Sequence, residues 1–284
     1  MPEYPLISVD ELRTRLEAGD GIRLLDVRYT LERPDGLPEY LAGHLPGAVF
    51  VAMDTELSTH GEPSEGRHPL PSKDVLQDAA RRWGLDAGDA VVVYDDYRSV
   101  AAARAWWLLR GSGVEDVRVL DGGLAAWRAA GLALETGEVV PTRGSIELEP
   151  LHAPVATIDE AAAWPKQGVL LDARAPERYR GETEPYDPVA GHIPGAVNLP
   201  AGALLKGDGF ADPETLRRAF ETVGAAGDAR VAAYCGSGLT AAHTALAGAV
   251  AGVDVTVYPG SWSQWSNTPG RPVATGEAPG GDAR

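Results

Sequence analysis

The chain repeats itself, and that repetition limits the folds open to it. Leu24-Leu25-Asp26-Val27-Arg28 returns as Leu170-Leu171-Asp172-Ala173-Arg174, and Gly43-His44-Leu45-Pro46-Gly47-Ala48-Val49 as Gly191-His192-Ile193-Pro194-Gly195-Ala196-Val197. Val91-Val92-Val93-Tyr94-Asp95 matches Val231-Ala232-Ala233-Tyr234-Cys235. Val119-Leu120-Asp121-Gly122-Gly123, ending at Trp127, matches Val257-Tyr258-Pro259-Gly260-Ser261, ending at Trp265. The offsets are 146, 148, 140 and 138 residues. Four blocks in one order at nearly one spacing mark a duplication. At 284 residues the chain has reached the size, ~250–300 residues, at which a single core stops growing, so each copy is expected to be a domain.

Within each copy, helix and strand signals alternate. Ser8 with Glu11, and Thr157 with Glu160, are spaced as capping boxes that open helices. Short apolar runs near 22–27, 90–95, 117–120, 168–172, 229–234 and 254–258 read as buried strands. Helices fall between them, such as Ser72 to Trp83 closed by Gly84, and Asp212-Pro213 to Val223 closed by Gly224. Alternating β and α with wholly apolar strands predicts an α/β fold in each copy, a mainly parallel sheet flanked by helices. The stretch 138–154 carries Pro141, Gly144, Pro150 and Pro154 without periodicity and is expected to be a linker. The expected domains are therefore 1–137 and 155–284. The Gly- and Pro-rich tail after Arg271 is expected to be loose.

Charge and cysteine content narrow the function. Lys and Arg number 25 against 41 Asp and Glu, a net charge of −16, which repels nucleic acid and anionic membranes. The one cysteine, Cys235, allows no internal disulfide and no cysteine-rich metal cage. The opening residues lack a basic region followed by an apolar one, and no apolar run approaches the ~18–20 residues that span a bilayer. A cytoplasmic protein is expected, with no nucleic-acid or membrane partner.

Cys235 stands where an open parallel sheet binds its ligands, past the carboxyl end of a strand. The strand ending at Tyr234 is followed by Cys235-Gly236-Ser237-Gly238-Leu239-Thr240, and a helix starts near Thr240. Two glycines in that bend let backbone N–H groups turn inward, and a helix N-terminus lies behind them. Such a cradle is expected to favour the thiolate. A lone cysteine is commonly just a small buried hydrophobe. An inert thiol, however, needs no glycine cradle, and the matched position of the first copy, Asp95, is followed by Asp96-Tyr97-Arg98-Ser99 without glycine.

Together, the paired Asp-x-Arg, Gly-His-hydrophobic-Pro-Gly-Ala, strand-Cys-loop and Gly-Ser-Trp-x-x-Trp blocks resemble tandem-domain sulfurtransferases of the rhodanese type, over nearly the whole chain. The resemblance implies two rhodanese-like domains, the first catalytically silent and the second carrying sulfur as a persulfide on Cys235. Loops that use thiosulfate in such proteins usually place Arg and Lys beside the cysteine, because the leaving sulfite is a dianion. The loop here is uncharged. It is similar to the Cys-Gly-Ser-Gly-Val-Thr loop of 3-mercaptopyruvate sulfurtransferases, with Leu239 as the departure, so 3-mercaptopyruvate is the expected donor and thiosulfate the alternative. The likeness assigns substrate binding to Arg178 and to Gly236, Gly238, Leu239 and Thr240, with Arg178 gripping a carboxylate in bidentate fashion. A second substrate arginine is often found nine residues on; this chain has Asp187 there, and Arg180 is a candidate substitute. The family also implies a Ser-His-Asp relay, here Ser237, His68 and Asp54. Against it stands the plainer alternative that Asp54 caps a turn and His68 packs beside Pro69. The interval from the Gly-His block to the next strand is 41 residues in the first copy (50–90) and 33 in the second (198–230), which leaves room for a loop around His68.

The implied partners are a small anionic sulfur donor and, as acceptor, cyanide, a small thiol or a thioredoxin-like protein; no metal or cofactor is implied. A cysteine phosphatase would need Arg six residues after the nucleophile, where this chain has Ala241. A non-catalytic binding module is the remaining rival. Because His44 and His192, Asp26 with Arg28, and Asp172 with Arg174 occur in both copies, structural roles are expected for them. Trp106, Trp107, Trp262, Trp265 and His243 are also expected to be structural, Trp262 being placed to wall the pocket as well.

Overall fold

The computed structural model describes residues 4–281. The chain divides into two compact units: one comprises the chain up to Thr59 with Leu70–Ala153 and Lys206–Phe210, the other His60–Pro69, Pro154–Leu205 and the chain from Ala211 onward.

In the first unit the strands are Leu6–Ile7 (β1), Ile22–Asp26 (β2), Val49–Phe50 (β3), Ala90–Tyr94 (β4) and Val117–Leu120 (β5), in the spatial order β1-β5-β4-β2-β3. Every ladder is parallel. A parallel ladder needs a crossover between its strands, and helices such as Val100–Gly111, between β4 and β5, supply them. Val91, Val92, Val93 and Tyr94 are all buried, as a strand covered on both faces requires. Ser8 caps the helix Val9–Glu17 by accepting the Glu11 N–H at 3.2 Å. The Glu11 carboxylate is drawn to Arg118 Nη1 at 2.7 Å. At Thr157 and Glu160 the expected reciprocal box forms in full.

The second unit repeats the plan. Its strands are Val169–Asp172 (β6) and Val197–Asn198 (β7), then Val231–Tyr234 (β10) and Val255–Val257 (β11); between β7 and β10 in the chain runs a small two-stranded ribbon, Leu205–Lys206 (β8) with Gly209–Phe210 (β9), whose residues 206–210 group with the first unit. The parallel sheet runs β11-β10-β6-β7. A single bridge from Val155 to Val257 holds the place that β1 fills in the first unit.

The repeated motifs brace each unit from inside. Arg28 Nη2 meets Asp26 at 2.8 Å and the Gly43 carbonyl at 2.6 Å; Arg174 Nη2 meets Asp172 at 2.6 Å and the Gly191 carbonyl at 2.6 Å. His44 lies on the Tyr40 ring and His192 on the Tyr179 ring, each ring nitrogen facing a backbone carbonyl. These residues hold loops, as the matched positions imply. Trp262 and Trp265 belong to the core of the second unit.

Two segments have packing that their composition hides. Residues 138–153 lie along the first unit, with Ile146 and Leu148 buried. Their backbone groups pair with Gln77, Ser112 and Gly111 rather than with a ladder, which tolerates the prolines. Residues 60–69 pack in the second unit: the Arg67 N–H donates to Ser263 Oγ at 3.0 Å and Gln264 Nε2 to the Ser64 carbonyl at 3.1 Å. Among the described residues no helix is long and apolar enough to cross a membrane.

Candidate active site

The bend at Cys235 is tied down by main-chain bonds. Cys235 N–H donates to Ser261 Oγ at 3.1 Å, the Cys235 carbonyl accepts from Trp262 N–H at 2.9 Å, and the Gly236 carbonyl accepts from Ser263 N–H at 2.8 Å. Gly238 turns the chain into the helix Leu239–Ala251 with φ of +87°, and a Cβ there would stand 2.4 Å from the Pro259 carbonyl oxygen. Only glycine fits that position. The turn aims the Gly238 N–H at the sulfur, 3.1 Å away. The sulfur therefore has an N–H donor and the N-terminal end of a 13-residue helix beside it. The several inward amides expected from the sequence resolve into this one N–H, with Ser261 Oγ at 3.9 Å as second neighbour. The thiol is buried, 2% exposed.

Ser261 is a site residue that sequence reasoning missed. Its φ is +54°, matching +53° at Gly123, its counterpart in the first copy. The two copies share a left-handed bend, with glycine in the first and in the second a serine whose Oγ takes the Cys235 N–H and donates to the Tyr258 carbonyl at 2.9 Å. A non-glycine residue opposite a glycine in a repeat was the available signal.

The first copy shows what the same bend does without a thiol. Asp95 is 1% exposed, and its Oδ1 accepts the N–H groups of Tyr97 and Ser99 while Oδ2 accepts those of Ala101 and Ala102, at 2.8–3.0 Å. The carboxylate fills the amide cradle of its own loop. Burial pushes its pKa up to about 6, against the pull of the amides.

Arg178 lies against the cysteine loop: a Cβ built on Gly236 would be 3.3 Å from its Nη1. The fork expected to grip a substrate carboxylate is already engaged. Nη2 donates to Glu184 at 2.7 Å and to Asp187 at 3.4 Å, and Nε donates to Glu184 at 3.3 Å. Nη1, on the loop side, is the edge left to a ligand. Arg180 does not join it, since both its Nε and Nη2 hold Glu182 at 2.7–2.8 Å. Another arginine, Arg67, meets Asp187 at 2.6 Å. Arg67 and Arg178 both face the Tyr186 ring, at 5.7 and 5.2 Å from its centroid. Burial pushes the Asp187 carboxyl up, Arg67 opposes this, and Glu184 adds to it. A cavity of about 340 Å³ opens beside this group, lined by Arg67, Tyr186, Asp187, Ser263, Asn267 and His60.

Ser237 and His68 are both in the second unit and both buried, at 7% and 4% exposure. Asp54 is in the first unit, on the short helix Met53–Glu56. Leu239 is buried as the first residue of the loop's helix, and the Thr240 carbonyl accepts the Thr244 hydroxyl.

A parallel α/β unit with a thiol at a strand-to-helix bend, an amide N–H on its sulfur and an arginine alongside has the form of an enzyme that carries a group on cysteine. Comparison with known proteins names that class. Residues 8–130 and 157–268 each match the Rhodanese-like domain. A relative from Mycobacterium tuberculosis, SseB, provisionally named a thiosulfate sulfurtransferase, is 49% identical over 96% of this chain and 98% of its own length. One from Pseudomonas aeruginosa, provisionally named a 3-mercaptopyruvate sulfurtransferase, is 44% identical over 98% of this chain and 100% of its own. The crystal structure of SseA from Escherichia coli, a 3-mercaptopyruvate sulfurtransferase, superposes with a TM-score of 0.80 at 33% identity, covering 91% of this chain and 98% of that one. The chain belongs to the rhodanese-like family, with two copies of the domain, and is a sulfurtransferase.

Proposed function

We propose that the enzyme takes sulfur from 3-mercaptopyruvate onto Cys235 and passes it to a thiol or to cyanide. The Cys235 thiolate attacks the donor sulfur, the carbon–sulfur bond breaks, and its electron pair leaves as pyruvate enolate. A proton delivered through Ser237 and His68 converts the enolate to pyruvate. The Gly238 N–H and the helix end steady the persulfide anion. In the second half-reaction an acceptor thiolate attacks the outer sulfur and frees the Cys235 thiolate, which gives ping-pong kinetics. Gly236, Leu239 and Thr240 shape the loop around the donor, and Arg178 Nη1 holds its carboxylate. A thiol nucleophile and thiol acceptors of the small-molecule or thioredoxin-like kind suit a reducing cytoplasm.

The observation that carries the choice of donor is the charge around the sulfur. Cys235 to Thr240 holds no cation, and Arg178, the cation against the loop, already shares its charge with Glu184 and Asp187. Such a site gives little to departing sulfite, a dianion, and enough to a monocarboxylate. The name given to the Mycobacterium tuberculosis relative favours thiosulfate instead. Comparing both donors at equal concentration, with mass spectrometry of the protein, separates the two. The expected result is faster loading from 3-mercaptopyruvate, one added sulfur, and none on the Cys235→Ser chain. Faster turnover with thiosulfate would overturn the choice of donor, and loading of Cys235→Ser would overturn the mechanism.

A further inference from the structure

Asp187 occupies a seat between two arginines, one of which, Arg178, stands against the cysteine loop. Its side chain is 2% exposed, and it bridges Arg67 at 2.6 Å and Arg178 at 3.4 Å. Glu184, 3% exposed, joins Arg178 to Arg174 at 2.7 and 3.2 Å. Arg67, Arg174 and Arg178 thus face Asp172, Glu184 and Asp187, three charges against three. The group is neutral before any substrate arrives. Arg67, Tyr186 and Asp187 line the 340 Å³ cavity, so one end of the group borders open space.

Resting on the donor site described above, we propose that Asp187 is a specificity-determining residue: its carboxylate occupies the positions on Arg67 and Arg178 that an anionic ligand would take. Any anion entering the seat competes with a carboxylate already in place. A small dianion such as sulfate or thiosulfate gains most from two unshared guanidinium groups and is therefore penalised most. A monocarboxylate needs only Arg178 Nη1 and loses less. Asp187 thereby lowers affinity for anions in general and discriminates against inorganic dianions, which would otherwise block the cysteine loop. A purely structural ion bridge would change stability when removed and leave that discrimination as it was.

The test uses the full chain carrying Asp187→Asn, which keeps the shape and removes the charge, beside Asp187→Glu, which restores the charge. Calorimetry with pyruvate and with sulfate reads binding, and persulfide formation from 3-mercaptopyruvate and thiosulfate gives KM and kcat separately. Asp187→Asn is expected to bind sulfate and thiosulfate about tenfold more tightly, equivalent to ~1.4 kcal/mol. The gain should be smaller for pyruvate and 3-mercaptopyruvate and should appear in KM rather than kcat, with Asp187→Glu moving back toward wild type. A folded Asp187→Asn chain with unchanged or weaker anion binding would overturn the proposal. Should that variant fail to fold, Arg67→Gln serves: it removes one guanidinium and leaves Asp187 on Arg178, so sulfate binding should fall about tenfold, and unchanged binding would refute the idea. If the wild-type chain loads sulfur from neither donor, the donor assignment fails by itself, while the sulfate titrations still decide the role of Asp187.

Discussion

Ser261 Oγ accepts the backbone N–H of Cys235 at 3.1 Å and stands 3.9 Å from its sulfur, so one hydroxyl fixes both the chain and the surroundings of the nucleophile. Replacing Ser261 with Ala leaves that buried N–H without an acceptor, a cost of about 1–3 kcal/mol, and keeps the left-handed backbone strained. Ser261→Gly loses the same bond but relaxes the backbone. Ser261→Ala is expected to melt lower than Ser261→Gly, and both to load sulfur about tenfold more slowly, ~1.4 kcal/mol in the barrier. Thermal unfolding with single-turnover loading checks this; unimpaired loading in both variants would remove Ser261 from the site.

Gly238 holds the sulfur's hydrogen-bond donor in a conformation open to glycine alone. A methyl group there meets the Pro259 carbonyl at 2.4 Å and a φ of +87°. Gly238→Ala should therefore lose about 2 kcal/mol or more of stability. Sulfur loading should drop by more than that stability loss accounts for, because the N–H is displaced from Sγ. Equal loading rates in a chain that remains folded would show that this amide does not assist the chemistry.

Asp95 links the stability of the first unit to pH. Its carboxyl is raised from 3.8 to about 6 by burial, so the folded chain binds this proton more tightly than the unfolded chain does. The stability it adds is complete below about pH 4 and is lost as pH rises through 6, about 3 kcal/mol in all. Asp95→Asn removes this dependence, so the deficit of the variant relative to wild type should shrink between pH 4 and pH 6.5. Chemical denaturation across that range measures it. A deficit that grows with pH would mean that the four amides outweigh burial and hold the carboxylate ionised.

Glu184 serves two arginines at once, Arg174 at 3.2 Å and Arg178 at 2.7 Å, and is 3% exposed. Glu184→Gln strips a buried charge from both. Breaking a buried pair costs about 3–5 kcal/mol, reduced here to about 2–3 because Asp172 and Asp187 remain. Urea unfolding should show that loss, and a change under about 0.5 kcal/mol would mean that Asp172 and Asp187 suffice alone.

Much of this molecule was legible in the order of its residues. The duplication, the six main strands, the strand-end position of Cys235 and the bracing roles of His44, His192, Asp26 and Asp172 follow from local pattern and from matching one copy to the other. These depend on periodicity and on bond geometry a few residues apart, which a linear chain records directly. Helix caps were equally visible, except where Arg118 took the Glu11 carboxylate from its box.

The charges gathered around Arg178 were not visible in that way. Arg67 and Asp187 are 120 residues apart, and no spacing rule joins them; the fold of the second unit brings them within 2.6 Å. The role of Ser261 depends on a positive φ that a serine does not announce. Nor did the sequence show that Arg178 is engaged by Glu184 and Asp187. Local pattern shows where a nucleophile can stand, because secondary structure is built from near neighbours. Which charges surround it depends on long-range packing, because Coulomb forces act through space between groups that the chain keeps far apart.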